Sequence, residues 1–111
     1  MRDGISYKAG GVTVLELVER YISLKTKVRS TTRAGYKTVV NVLKEDAFGK
    51  KMIADIKTSD AKMWLLGLQD GGRSYSSIHN IRGVVRPAFA MAGEDDLLRN
   101  NPLAFERAKV L

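Results

Sequence analysis

Apolar positions recur at three- and four-residue spacing along most of the chain, the pattern of helices that each bury one face. The first begins at Thr13, which with Glu16 three residues on forms a capping box, flanked by Val12 and Leu17 as a hydrophobic staple. It runs to about Lys25, with Val14, Leu15, Val18, Tyr21 and Ile22 on one side. The second opens in the Ser30, Thr31, Thr32 cluster, whose hydroxyls can cap free backbone amides. Its apolar face is Tyr36, Val39, Val40 and Leu43, opposite Arg33, Lys37, Asn41 and Lys44. Phe48 and Gly49 then break it, and Lys50 to Ile56 alternates only long enough for a short extended link or hairpin.

A third helix is predicted from Thr58 as N-cap, with Asp60 in its first turn, through Trp64, Leu65 and Leu68 to a stop at Gly71 and Gly72. Trp64 reads as a core anchor. The fourth begins within Ser74 to Ser77 and buries Ile78, Ile81, Val85, Phe89 and Ala92, leaving Ser76, His79, Arg82, Gly83 and Arg86 outside. Pro87 falls inside this pattern and should kink the helix. A last turn around Asp95 to Leu98 precedes Asn101 and Pro102, a boundary signal. The expectation is an all-α bundle of four to five short helices. Tyr36, placed inside, is expected to cost about 3 to 5 kcal/mol on truncation, while Tyr7, in a glycine-rich tail, costs almost nothing.

Charge adds a direction to this bundle. Of 19 Lys and Arg, nine lie between Arg20 and Lys51 against Glu45 and Asp46 alone, so that window carries the whole formal charge of +7. Gly71 to Ala92 holds Arg73, Arg82 and Arg86 and no acid. Two separated basic regions of this kind suit a polyanionic partner, although solvated helix faces carry the same residues. With 111 residues the chain can build one core, and it contains no cysteine, no signal peptide and no apolar run of membrane-spanning length, which fits a reducing cytoplasm.

Few kinds of active site can be assembled from these residues. His79 is the single histidine, and Glu94, Asp95 and Asp96 are consecutive, pointing apart on a helix, so neither a metal site nor a serine triad has its parts. Gly10-Gly11 and Gly71-Gly72 lack the lysine and the strand-to-helix setting of a phosphate loop. No cofactor is implied. What remains is two helices that start in hydroxyl clusters and carry basic stripes, able to take phosphates on their first turns. The candidate DNA contacts are Thr31, Thr32, Arg33, Lys37 and Lys44 on the second helix, and Arg73, Ser76, Ser77, His79, Asn80, Arg82 and Arg86 around the fourth.

The order of five segments resembles the core-binding domain of tyrosine recombinases: Thr13 to Tyr21, Ser30 to Tyr36, Ile56 to Asp60, Ser74 to Arg82, and Asn101-Pro102. Val84 to Ala92 followed by Glu94 to Pro102 is similar in particular to phage and conjugative-transposon integrases. The resemblance covers about residues 12 to 105. It implies a SAM-like orthogonal bundle that grips double-stranded DNA at the core recombination site, alongside other recombinase protomers, while a separate domain cuts strands with a tyrosine. On this reading residues 1–11 are linker from an arm-binding domain, 106–111 begin the linker to a catalytic domain, and the chain is an excised, non-catalytic, monomeric domain. His79-Asn80-Ile81-Arg82 matches the family's catalytic His-x-x-Arg pattern by coincidence, because all four tyrosines, at 7, 21, 36 and 75, precede it. Pro87 departs from the family pattern. Two other readings use the same residues: a helical protein-interaction module, and a helix-turn-helix regulator, which lacks its short Gly-containing turn here.

Overall fold

The computed structural model describes residues 11–95 and 101–103, and its regular elements are all helical. They are α1 (Val14–Ser23), α2 (Ser30–Glu45), a single turn α3 (Ala47–Lys50), a 3-10 turn (Ile53–Asp55), α4 (Thr58–Asp70) and α5 (Tyr75–Glu94). The Thr13–Glu16 capping box forms as expected, with the Thr13 amide donating to Glu16 Oε1 at 3.0 Å and the Glu16 amide to Thr13 Oγ1 at 3.2 Å. Leu17 is fully buried and Val12 packs against the core, completing the staple.

The expected break at Phe48-Gly49 is displaced to Asp46, and both residues lie inside α3. Asp46 is extended; its Oδ1 accepts from the Phe48 amide at 2.9 Å and its Oδ2 from the Trp64 indole at 3.0 Å. Phe48 stacks on Trp64 with centroids 4.1 Å apart and planes 6° from parallel. One carboxylate thus caps a new turn and ties it to α4, which periodicity alone could not signal. Nor does Lys50 to Ile56 form a hairpin: Met52 makes one antiparallel bridge with Thr13, and the chain then coils into the 3-10 turn. At α4 the cap is Lys57 rather than Thr58, the Lys57 amide donating to Asp60 Oδ2 at 2.9 Å.

The stop after α4 is as read. Gly72 adopts φ +94°, the Arg73 amide bonds to Leu68 O and the Gly72 amide to Gln69 O, a Schellman ending that needs a residue without a β-carbon at 72. α5 is continuous through Pro87. The residue four before it is Gly83, and Val84, Val85, Ala88 and Phe89 on either side are buried, so packing holds the helix across one missing hydrogen bond. The Asp95 to Leu98 turn lies largely outside the described residues, as does Tyr7.

The core joins all five helices through Leu17, Leu43, Phe48, Leu65, Ile81 and Phe89, with Leu103 closing one end. Ile78, Ile81, Val85, Phe89 and Ala92 are buried as predicted, and Val42 joins Val39 and Leu43. Tyr36 packs against the core from the inward face of α2, half-buried at its edge. Its truncation to alanine is therefore expected to cost about 2 kcal/mol, below the range for a fully buried ring, as read by thermal melting.

Candidate nucleic-acid interface

Two helix N-terminal regions were expected to present phosphate ligands, and they are built differently. At α5 the Ser74 hydroxyl accepts from the Ser77 amide at 3.2 Å. At α2 the cap position is Arg29, and no side chain bonds to the first-turn amides; the Ser30, Thr31 and Thr32 hydroxyls do not cap, because they already lie within the helix. Thr31, Thr32, Arg33, Lys37 and Lys44 are all exposed, as are Arg73, Ser76, His79, Asn80 and Arg86, whereas Ser77 and Arg82 are half-buried.

Outside the shared core, one polar contact joins the two helices at their surface. Asn80 on α5 reaches α2 at Gly35, Nδ2 standing 3.5 Å from the Gly35 carbonyl, and a β-carbon at 35 would come within 3.3 Å of Asn80 Oδ1. At about 100° per residue, the exposed neighbours of this contact are the residues one and four before it and three after it. On α2 these are Thr31, Ala34 and Thr38; on α5 they are Ser76, His79 and Gly83, and all six are exposed. The seam is floored by small and hydroxyl-bearing side chains together with the His79 imidazole. Lys37, Lys44 and Arg33 lie about 160–180° from Gly35 around α2, and Arg86 and Arg82 about 120–160° from Asn80 around α5. The cations therefore sit on the sides of the two helices turned away from the seam.

Arg73 stands apart from this seam. It borders a cleft with Val42, Glu45, Asp46 and Leu68, by the far end of α2 and next to two carboxylates. Arg82 turns toward the segment after α5 and donates to Leu103 O at 3.3 Å. Burial, and then the charge of Arg86, lower its pKa from the ordinary arginine value. Asn101 was read only as a boundary residue, yet its Nδ2 donates to Arg86 O at 3.2 Å and its Oδ1 accepts from the Leu103 amide at 2.8 Å. Pro102 and Leu103 are buried beside it. Among the described residues no group of His, Cys, Asp and Glu could hold a metal ion, and no helix is long and apolar enough to cross a membrane.

No family model matches the chain. Over all 111 residues, however, it is 33% identical to the transposase of transposon Tn916 from Enterococcus faecalis and to that of transposon Tn1545 from Streptococcus pneumoniae. The chain is homologous to one portion of the Tn916-type transposases. It spans 27% of the length of these curated relatives. The integrase of transposon Tn1549, solved with transposon right end DNA, superposes with a TM-score of 0.85 at 34% identity, over 90% of this chain and 31% of that one. The same integrase with a circular intermediate DNA gives 0.85 over 89% and 31%. The family resemblance of the sequence thus holds for a Tn916-type portion with an all-helical fold.

Proposed function

We propose that this chain is the part of a Tn916-type integrase that grips duplex DNA at the core recombination site, chiefly through phosphates, without itself cutting strands. The observation that carries the reading is that α2 and α5, in contact at Gly35 and Asn80, both expose hydroxyl and basic side chains: Thr31, Thr32, Arg33, Lys37 and Lys44 on the first, Ser76, His79 and Arg86 on the second. Hydroxyls and first-turn amides donate hydrogen bonds to phosphate oxygens, and lysine and arginine neutralise their charge. The Tn1549 integrase, similar in fold to this chain, is solved bound to transposon DNA, which supports the same reading. Strand cleavage is assigned to the remainder of the relatives, and residues 12 to 105 to the DNA-gripping domain, acting beside other protomers in a full assembly.

The test is a fluorescence anisotropy titration of the chain with duplex DNA at several salt concentrations. Release of counterions from four or five phosphates predicts that log K falls against log salt with a slope of roughly −4. A slope near zero would show that these cations do not meet the phosphate backbone. The role of His79 has its own test. Carried within a full-length integrase, His79→Ala is expected to leave cleavage of a suicide substrate intact, because His79 lies on the seam and not in a catalytic centre. Cleavage reduced to background at unchanged affinity would overturn that assignment.

A further inference from the structure

We infer that the open groove between α5 and the Asn101–Leu103 segment is a slot for one DNA phosphodiester, contacted by Arg86 and coupling DNA binding to the path of the chain after α5. The inference rests on the DNA-gripping reading and makes it specific to one place. The groove has a volume of about 510 Å³; the described residues around it include His79, Arg82, Arg86 and Asn101, and none of those described is a carboxylate. Gly83 and Ala90 line the same groove and leave it shallow enough for backbone to approach.

Its two arginines have different tasks. Arg82 is half-buried and fixed at the Leu103 carbonyl, so it holds the segment and contributes field. Arg86 is exposed and four residues further along the same helix face, which leaves its guanidinium to the ligand. Two like charges packed one turn apart disfavour one another, and the lowered pKa of Arg82 has Arg86 as its second cause. An anion in the groove relieves that repulsion, and the planar guanidinium matches two phosphate oxygens. Pro87 adds a local asymmetry: it has no amide to give to Gly83 O, so the helix wall of the groove lacks one internal hydrogen bond. Asn101 bridges the groove to the segment by bonding the Arg86 carbonyl and the Leu103 amide. A phosphate seated against Arg86 and Asn101 would therefore also hold residues 101 to 103.

The experiment uses the 111-residue chain, a short duplex and two readouts. In the salt titration, Arg86→Gln is expected to reduce the slope by about one while leaving the melting temperature unchanged. In an NMR titration of the wild type, the duplex is expected to shift the Arg86 side-chain Nε–H and to slow hydrogen exchange at the Leu103 amide. Inorganic phosphate at matched ionic strength is expected to do neither. Duplex binding with an unchanged slope in Arg86→Gln, or with no effect at Leu103, removes the slot and leaves the broader reading standing. Equal responses to free phosphate and duplex would make it a small-anion site and overturn the inference. Failure of the wild type to bind any duplex overturns the functional reading itself.

Discussion

Alanine in place of Gly49 is expected to destabilise the domain by about 3 kcal/mol, lowering the melting temperature by roughly 15 °C. Gly49 is buried in α3, where a β-carbon would fall well inside van der Waals contact of the Leu43 carbonyl oxygen and 2.8 Å from the carbonyl carbon. Both are backbone atoms. They cannot swing aside, because Leu43 is fully buried and the turn after it is held by the Asp46 amide on Val42 O at 3.0 Å and the Gly49 amide on Asp46 O at 3.1 Å. Relief would require moving Phe48 off Trp64, losing the stack and the shared Asp46 carboxylate together. Gly67→Ala is the control: it lies in α4 with nothing within 4 Å of the added carbon, and should stabilise by roughly 0.5–1 kcal/mol through helix propensity. A Gly49→Ala protein that melts with the wild type would mean that α3 does not pack against the end of α2 as described.

Gly49 also shows where a sequence stops being readable. The long helices were legible because their burial is periodic: Ile78, Ile81, Val85, Phe89 and Ala92 are all inside, and Arg33, Lys37, Asn41 and Lys44 all outside. Local chemistry was legible too, in the Thr13–Glu16 box and the Gly71-Gly72 stop. The turn at Ala47–Lys50 was not, since its formation depends on Asp46 meeting an indole 18 positions away. The candidate interface divides the same way. Exposure of most of its residues follows from helical period, but the pairing of Gly35 with Asn80, 45 positions apart, decides which exposed residues share a surface. Arg73 lies instead in a cleft beside Glu45 and Asp46, while Asn101, read only as punctuation, bonds to the backbone at Arg86 and Leu103. Arg82 fits an outward stripe by its period, yet it is drawn aside by a carbonyl 21 residues further on.

Reversing Arg33 and Lys37 to glutamate together is expected to abolish duplex binding, weakening it by at least about 100-fold at moderate salt, with no fall in melting temperature. The pair takes four units from a formal charge of +7 and places two carboxylates where two phosphates would sit. The reversal is harsher than neutralisation. Arg33→Gln with Lys37→Gln removes only the attraction, and should reduce the salt slope by about two while leaving measurable affinity. Stability should hold in both pairs, since both side chains are exposed and point about 160° away from the Gly35 contact. Three outcomes separate the alternatives. Lost binding at an unchanged melting temperature places the α2 flank on DNA. Lost binding with lost folding would show that α2 presents a different face to the core. Unchanged binding at an unchanged melting temperature would leave the α2 flank a solvated surface and confine the interface to α5, where Arg86 alone would have to account for the salt dependence.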